Sequence, residues 1–343
     1  MRGPLSKREL AAVSEASLKT TGDLGLKHAV ENQPYVKKTI ADVADGLPGD
    51  WAIVVSAGPS LHLRDQAKAI LASKFEGAII AVDAALGYCL RNGLVPHYVV
   101  SVDPHPQLLI RWYGDPDLHK RSETDYFRRT ELDPALHVDE EARNVEQIEL
   151  VNRFGPKMKA ILGTSVANNV ARRVLEAGMD LYWWNPLYDD WDSANSYTRR
   201  AWNMNHVPCM VGGGNVGTAA WVFAHSVLRK KHVGLIGMDF AYPLGTPVFN
   251  TQRYYELHDF FGKAHAADGL IAIMNPHLGE TWLTDPTYDW YRQSFQELVK
   301  IADCLTYNCT EGGLIFGEGI HWKSLEEFLL LSKANASAVG GRT

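Results

Sequence analysis

The chain has 343 residues, of which 46% are hydrophobic and 22% charged, as is ordinary for a folded globular protein. Its formal net charge of -6 argues against a nucleic-acid coat protein, because such domains carry a basic stripe. No apolar run is long enough to span a membrane, and no apolar stretch follows the basic N-terminus as it would in a signal peptide. We therefore expect a cytoplasmic protein without a membrane span or a nucleic-acid partner.

Three regions follow from composition along the chain. Residues 1–46 are polar with helix-compatible segments, which predicts a helical N-terminal extension. A main domain is expected over 47–333, with irregular insertions near 114–145 and 185–210. The small polar residues of 334–343 predict a flexible tail.

Within the main domain, short apolar runs alternate with helix-compatible segments. The predicted strands are 51–55, 77–82, 97–102, 159–162, 180–184 and 232–237. The predicted helices are 64–74, 84–92, 166–177, 216–228, 286–306 and 323–333. Because the strands are almost continuously apolar, we expect an α/β fold: a Rossmann-like parallel sheet with helices on both faces.

A glycine-bearing turn, Ser56-Ala57-Gly58-Pro59-Ser60-Leu61, joins the first strand to the next helix. Gly58 would let the backbone approach a ligand, Pro59 fixes its own φ, and Ser60 is a natural helix cap. Exposed N–H groups at such a turn attract anions, so Gly58, Pro59 and Ser60 are candidate phosphate contacts. The turn is equally typical of a plain βα connection with a capping serine. If Gly58 faces a phosphate, Gly58→Val should abolish nucleotide binding and leave the fold intact.

Several polar residues follow other predicted strands at their carboxyl ends. They are Asp83, Asp103, Thr164, Ser165 and Asp239. Ligands of open α/β sheets bind beyond these ends, so we expect the residues to gather at one edge of the sheet near Gly58. A strand-end aspartate is also a common helix cap. Hydroxyl binding on a sugar, or one Mg²⁺ site, are the ligand roles that fit carboxylates there.

A second glycine-rich segment, Gly212-Gly213-Gly214-Asn215-Val216-Gly217-Thr218, precedes a predicted helix. It predicts either a hinge or a second anion-binding loop, with Gly214, Asn215 and Thr218 as contacts. Among the 13 histidines, His105 is a candidate for proton transfer because it follows Asp103 at a strand end.

The segments that carry these features resemble one known family in their order and spacing. They are 54–61, 81–86, 93–96, 99–104, 212–220, 235–242 and 307–313, and together they span roughly residues 48–330. They are similar to the motility accessory factor (Maf) glycosyltransferases, whose central domain is shared with proteins named for the 6-hydroxymethylpterin diphosphokinase MptE. The resemblance implies a domain related to bacterial sialyltransferases, which use CMP-activated nonulosonic acids. It also implies that Gly58, Pro59 and Ser60 hold the donor phosphate, with Asp239 and Asn215 beside the donor.

Three functions remain open from the sequence. The first is a glycosyltransferase that moves a sugar from a CMP-nonulosonate-type donor to a hydroxyl of a protein or glycan acceptor. Such an enzyme needs no cofactor, and His105 or Asp239 would be its base, with Asp103 nearby. The second is a diphosphokinase that uses ATP with Mg²⁺ held by Asp103. Against it, the archaeal kinases carry two acidic segments, whereas this chain has Ser101-Val102-Asp103-Pro104-His105 at the first place and no match to the second. The third is a nucleotide-binding module without catalysis.

Overall fold

The computed structural model describes residues 7–44, 46–121 and 140–340. Its strands are β1 Trp51–Val55, β2 Ala78–Val82, β3 Tyr98–Ser101, β4 Lys159–Gly163, β5 Asp180–Pro186, β6 Cys209–Met210, β7 His232–Ile236, β8 Tyr242–Pro243, β9 Ile271–Asn275, β10 Glu280–Thr284, β11 Leu305–Asn308 and β12 Ile320–Trp322. Its α-helices are α1 Lys7–Asn32, α2 Ser60–Leu63, α3 Gln66–Ser73, α4 Leu86–Arg91, α5 Leu109–Trp112, α6 Leu118–Arg121, α7 Glu140–Phe154, α8 Asn168–Glu176, α9 Tyr197–Asn205, α10 Val216–Val222, α11 Tyr254–Phe261, α12 Pro286–Ile301 and α13 Leu325–Gly340.

Nine strands form one parallel sheet in the order β12-β11-β7-β1-β2-β3-β4-β5-β6. From β1 the chain runs outward strand by strand to β6, and it then returns to place β7 on the other side of β1. The strand order therefore reverses between β1 and β7. Open α/β sheets hold their ligands at such a reversal, beyond the carboxyl ends of the strands.

Apolar side chains on both faces of the sheet are buried, which confirms the predicted α/β class. Successive residues of a strand point to opposite faces. In β5, Tyr182 and Trp184 belong to one buried cluster with α10, whereas Leu181 and Trp183 belong to another with α8. A strand buried on both faces needs apolar residues at every position, and this explains the unbroken apolar runs in the sequence.

A second, three-stranded antiparallel sheet, in the order β8-β10-β9, lies in the chain between β7 and β11. The helix α11 belongs to the same insertion, and Tyr242, Leu257 and Leu283 bury a small core inside it. The sequence analysis did not predict this subdomain. Its strands are short or mixed in burial, as in β9, so they lack a clear period.

Other elements differ from the predictions at particular places. The segment 286–306 was predicted as one helix, but α12 ends at Ile301 and Leu305–Asn308 is the sheet strand β11. The insertion at 185–210 contains the helix α9 and the strand β6, so it is more regular than expected. The last helix extends to Gly340, so the predicted flexible tail is helical over 334–340. Of the insertion predicted at 114–145, residues 122–139 lie outside the described part.

The first part of the N-terminal extension is one long helix, α1. The C-terminal end of this helix packs on the turn after β4. The ring of His28 hydrogen-bonds the Ser165 carbonyl at 2.8 Å. Asn32 Nδ2 donates to the Val166 carbonyl at 2.6 Å and to the Thr164 carbonyl at 3.2 Å. No helix in the described ranges is long and apolar enough to cross a bilayer.

Candidate functional site

The carboxyl ends of five adjacent strands carry most of the residues predicted from the sequence. In spatial order, Asp239 follows β7, Gly58 follows β1, Asp83 follows β2, Asp103 follows β3, and Thr164 and Ser165 follow β4. These residues lie at the same edge of the sheet, as their positions after parallel strands predict. Gly58 and Asp239 flank the reversal of strand order between β1 and β7.

The turn after β1 is closed by the segment after β7. The Gly58 amide donates to the Gly237 carbonyl at 2.7 Å. The Ser60 amide donates to Asp239 Oδ2, also at 2.7 Å. Pro59, which has no amide hydrogen, occupies the cap position of α2, and Ser60 is the first helical residue, so the expectation of a Ser60 cap is wrong. Both amides of the Gly58–Ser60 turn are therefore already paired within the protein.

The need for glycine at position 58 comes from the protein itself. A Cβ at Gly58 would lie 2.5 Å from Asp239 Oδ2 and 2.6 Å from the Gly237 carbonyl oxygen. The Gly237 carbonyl oxygen belongs to the backbone, so it cannot move aside without a large cost in free energy. The expectation that Gly58→Val would spare the fold is thus wrong, because the new side chain would collide with the turn after β7.

Three buried polar atoms near this turn have no hydrogen-bond partner in the described structure. They are Ser56 Oγ, Ser60 Oγ and Asp239 Oδ1. Their residues are at most 7% exposed. Burying a polar atom without a partner costs free energy, so such atoms at a sheet edge are typical of a site that a ligand completes. We call these three atoms the β1–β7 corner.

The carboxyl group of Asp239 is buried, and the backbone of Asp239 packs against a second turn. A Cβ at Gly313 would lie 2.5 Å from the Asp239 Cα, and the Leu314 amide donates to the Asp239 carbonyl at 2.8 Å. Burial raises the pKa of Asp239 to about 6, and the amide and the hydroxyl of Ser60, which both approach the carboxyl group, oppose that rise. Asp239 therefore changes its charge close to neutral pH, as suits a proton-transfer group.

The glycine loop before α10 lies beside the corner. Gly213 and Gly214 have φ values of 58° and 82°, which side chains rarely adopt. A Cβ at Gly217 would lie 3.1 Å from Ser56 Oγ. Asn215 caps the helix, because its Oδ1 accepts from the Thr218 amide at 2.9 Å and its Nδ2 donates to Thr218 Oγ1 at 2.9 Å. The side chains of Asn215 and Thr218 thus fix the loop, and what the loop offers a ligand is its backbone.

Asp83 and Asp103 occupy the neighbouring strand ends. Asp83 is buried, its Oδ1 accepts from the Ala84 amide at 2.7 Å, and the Ser101 hydroxyl also approaches its carboxyl group. Burial raises the pKa of Asp83 to about 7, and the charge of Asp103 adds to that rise. Asp103 Oδ1 accepts from the His105 amide at 2.7 Å. Among the described residues, no group of three or more acidic, histidine or cysteine side chains is arranged to hold a metal ion.

His105 is half-buried, and burial lowers the pKa of its imidazole. Its Nδ1 accepts from the Gln107 amide at 3.3 Å. A neutral imidazole that accepts at Nδ1 carries its proton on Nε2. In this tautomer the ring donates a hydrogen bond from Nε2 rather than accepting a proton there.

Thr164 and Ser165 use their hydroxyl groups inside the fold. Thr164 Oγ1 donates to Asn185 Oδ1 at 2.6 Å, and Ser165 Oγ donates to the Val102 carbonyl at 2.5 Å. Both residues are buried. Their placement at the sheet edge is as predicted, but the structure joins them to neighbouring strands and does not bring them to the β1–β7 corner.

Sequence reasoning missed three residues next to the glycine loop. A Cβ at Gly214 would lie 2.8 Å from the Trp290 ring and 2.9 Å from the Tyr291 ring, so both aromatics pack on this loop. Arg253 Nη2 donates to the Tyr291 hydroxyl at 3.3 Å. Trp290 and Tyr291 lie on α12, and Arg253 lies in the insertion that was not predicted. No spacing motif marks them, because long-range folding brings them to the loop.

Comparisons with known proteins agree with this architecture. Residues 27–110 match the family model described as 6-hydroxymethylpterin diphosphokinase MptE-like. The fold is similar to the structure of a Maf glycosyltransferase from Magnetospirillum magneticum AMB-1, with a TM-score of 0.55 and 14% sequence identity. That similarity covers 93% of this chain and 42% of the other, so this chain spans less than half of that protein's length. No curated protein matches the chain. The resemblance seen in the sequence motifs is therefore confirmed, and at this identity the structural likeness establishes the fold.

Proposed function

We propose that the protein is a glycosyltransferase that takes a nucleotide-activated sugar, of the CMP-nonulosonic acid type, and transfers the sugar to a hydroxyl group. The observation that carries the proposal is the β1–β7 corner, where Ser56, Ser60 and Asp239 bury unpartnered polar atoms at the reversal of strand order. The likeness of the fold to a Maf glycosyltransferase supports it. The acceptor would be a hydroxyl of a protein or a glycan.

The nucleotide phosphate fits the glycine loop better than the turn at Gly58. The amides of Gly58 and Ser60 are paired with Gly237 and Asp239. By contrast, the amides of Val216 and Gly217 open α10 and have no acceptor within the helix. The dipole of α10 favours an anion beside these amides.

In the proposed reaction Asp239 is the general base. Its Oδ1 removes the proton of the acceptor hydroxyl, the acceptor oxygen attacks the anomeric carbon, and the bond between that carbon and the phosphate oxygen breaks. CMP leaves with the electron pair, stabilised by the loop amides. A base with a pKa of about 6 is mostly ionised at neutral pH and still takes up a proton readily.

The alternative function is a diphosphokinase, and the match of residues 27–110 to the MptE-like model favours it. In this reaction Mg²⁺ would offset the charge of ATP. Asp83 and Asp103 follow neighbouring strands, and the charge of Asp103 raises the pKa of Asp83, so this pair is the place where such an ion would bind. The Asp103→Asn variant would then lose nucleotide binding.

A ligand screen separates the two functions. The melting temperature is measured with CMP, CMP-N-acetylneuraminic acid, UDP-N-acetylglucosamine and ATP, each in EDTA and in Mg²⁺. We expect CMP and the CMP-sugar to stabilise the protein equally in both conditions, since a ligand at a hundredfold excess over its Kd adds about 2.7 kcal/mol. Stabilisation by ATP alone that vanishes in EDTA and in Asp103→Asn would replace the transferase with the kinase. Tight binding without turnover of any donor would indicate a module without catalysis.

A further inference from the structure

We propose that a cavity beside β8 and β10 binds a neutral sugar as the acceptor, so that the enzyme extends a glycan. This inference rests on the proposed function and deepens it by naming the class of acceptor. The cavity has a volume of about 370 Å³, and we call it the β8–β10 cavity. The residues that line it are Pro243, Leu244, Glu280, Thr281 and Trp282.

Three of the five lining side chains project from the face of the small sheet that meets the main domain. Trp282 is directly opposite Pro243 in the antiparallel pair, so the two side chains share a face. Glu280, two residues before Trp282 in β10, shares that face as well. On it the Trp282 side chain packs with Leu314, which follows β11. Most of the cavity lining therefore lies on the main-domain side of the small sheet.

Trp282 connects the β8–β10 cavity to the β1–β7 corner. A Cβ at Gly312 would lie 3.0 Å from the Trp282 ring and 3.2 Å from the Ser60 Cβ, so one glycine contacts both side chains. The Ser60 amide in turn donates to Asp239 Oδ2 at 2.7 Å. A ligand against Trp282 is therefore a neighbour of the carboxyl group that the proposed reaction uses as its base.

The indole of Trp282 carries a donor that the fold does not use. Nε1 is buried and has no hydrogen-bond partner in the described structure. Trp282 as a whole is only 6% exposed. A buried N–H without an acceptor costs free energy, and an oxygen atom of a ligand would remove that cost. In our proposal an oxygen of the acceptor sugar takes this hydrogen bond.

The chemistry of the lining suits an uncharged ligand that carries hydroxyl groups. Pro243, Leu244 and Trp282 supply apolar surface, on which the C–H face of a sugar ring can pack. Thr281 adds a hydroxyl and Glu280 a carboxylate, which accepts hydrogen bonds from sugar hydroxyls. None of the five lining residues is cationic, and Glu280 repels anions. The lining thus disfavours a phosphate or an acidic sugar.

The volume of the cavity favours a sugar over a protein segment. Ligand pockets in proteins span about 300–1,000 Å³, so this cavity is among the small ones. A small cavity accommodates a compact sugar, whereas an extended peptide needs a groove that continues beyond the bound residue. Leu244, which is 60% exposed, leaves the rim accessible to solvent. In the transfer, a hydroxyl of the bound sugar gives its proton to Asp239 and its oxygen replaces CMP at the anomeric carbon.

The test measures the binding of neutral disaccharides to the full chain by calorimetry, with and without CMP. The probes are lactose, N-acetyllactosamine, cellobiose and maltose, and a hexapeptide that contains serine and threonine is the competing acceptor. We expect a disaccharide to bind, and Glu280→Gln to weaken it about tenfold while the Kd of CMP stays within about twofold. Trp282→Phe, which removes the indole N–H and keeps an aromatic ring, should weaken the same disaccharide about three- to tenfold.

Transfer kinetics with CMP-N-acetylneuraminic acid as donor provide the second readout. Glu280→Gln should raise the KM of the disaccharide about tenfold and leave kcat within about threefold, as for the loss of a binding contact. Glu326→Gln, at an exposed glutamate of α13, is the matched control and should change none of these values.

The other outcomes overturn the proposal. If none of the four disaccharides binds, or if Glu280→Gln leaves the affinity of the bound one unchanged, the cavity is not a sugar site. Transfer to the hexapeptide with a KM that rises in Glu280→Gln would assign the cavity to a protein acceptor. Failure of the wild type to bind CMP would reject the proposed function. Disaccharide binding that depends on Glu280 without CMP would then keep the cavity as a sugar site and reject only its acceptor role.

Discussion

The turns after β1 and β4 lie at the same edge of the sheet, and both carry hydroxyl residues that predict phosphate contacts, yet the fold treats them differently. After β4, Thr164 and Ser165 donate to Asn185 and to the Val102 carbonyl. After β1, Ser56 and Ser60 bury hydroxyls that have no partner in the described structure. A polar group that the fold satisfies has a structural role, whereas a buried group without such a bond can accept one from a ligand. The difference separates a structural turn from a functional one.

The largest effect that would test this distinction concerns Asp239. Asp239→Asn keeps an oxygen for the Ser60 amide but cannot take up a proton. We expect the release of CMP from CMP-N-acetylneuraminic acid to slow by about 10²- to 10⁴-fold, with CMP binding preserved. Asp65→Asn is the control, since the Asp65 side chain is 78% exposed. Undiminished turnover in Asp239→Asn would remove Asp239 from the catalytic role.

The next effect is the pH dependence of stability. Asp239 has a pKa of about 6 in the fold, above its ordinary value of 3.8. Between these values the folded state holds more protons than the unfolded state, so the free energy of unfolding should fall as pH rises from 4 to 6. Urea titrations at unit steps of pH measure this slope. Asp239→Asn should reduce this slope, leaving the part that Asp83 contributes through its own raised pKa, and Asp65→Asn should not change it. A slope unchanged in Asp239→Asn would mean that the carboxyl group is not held in the buried setting described.

Paired glycine substitutions compare the two turns directly. A Cβ at Gly58 meets the Gly237 carbonyl oxygen at 2.6 Å, whereas a Cβ at Gly163 meets nothing closer than 3.1 Å, at Ser165 Oγ. We expect Gly58→Ala to lower the free energy of unfolding by about 1–3 kcal/mol, as overpacking does, and Gly163→Ala to cost less. Chemical denaturation measures both. The opposite order would show that the turn after β1 is the looser of the two.

The sequence predicts the sheet well and the site only in part, for physical reasons. Strands β1 to β5 and β7 can be predicted from the sequence, because burial on both faces of the sheet requires unbroken apolar runs. The gathering of Asp83, Asp103 and Asp239 follows from parallel strands alone. The sequence cannot show which polar atoms form hydrogen bonds within the fold. For example, the Ser60 amide donates to Asp239 Oδ2, which is 179 positions away in the chain. Arg253 was missed for the same reason, because its place beside Tyr291 depends on an insertion whose strands have no clear period.

The smallest effects come from removing one hydroxyl at each turn. Thr164→Val deletes a buried hydrogen bond to Asn185 Oδ1, which keeps a second bond at 3.1 Å from Asn205 Nδ2, so we expect a loss of about 1 kcal/mol of stability and no change in CMP affinity. Ser60→Ala deletes a hydroxyl that approaches the Asp239 carboxyl group without a hydrogen bond of normal geometry, so the stability should change little. If a ligand supplies the missing partner, Ser60→Ala should instead weaken the binding of CMP-N-acetylneuraminic acid by about three- to tenfold.

Denaturation measures the stability of each variant, and calorimetry measures its affinity for the ligand. We expect Thr164→Val, after β4, to lose only stability, and Ser60→Ala, after β1, to lose only affinity. Should Ser60→Ala lose stability and keep its affinity, the Ser60 hydroxyl would have a structural role like that of Thr164, and the contrast between the two turns would fail.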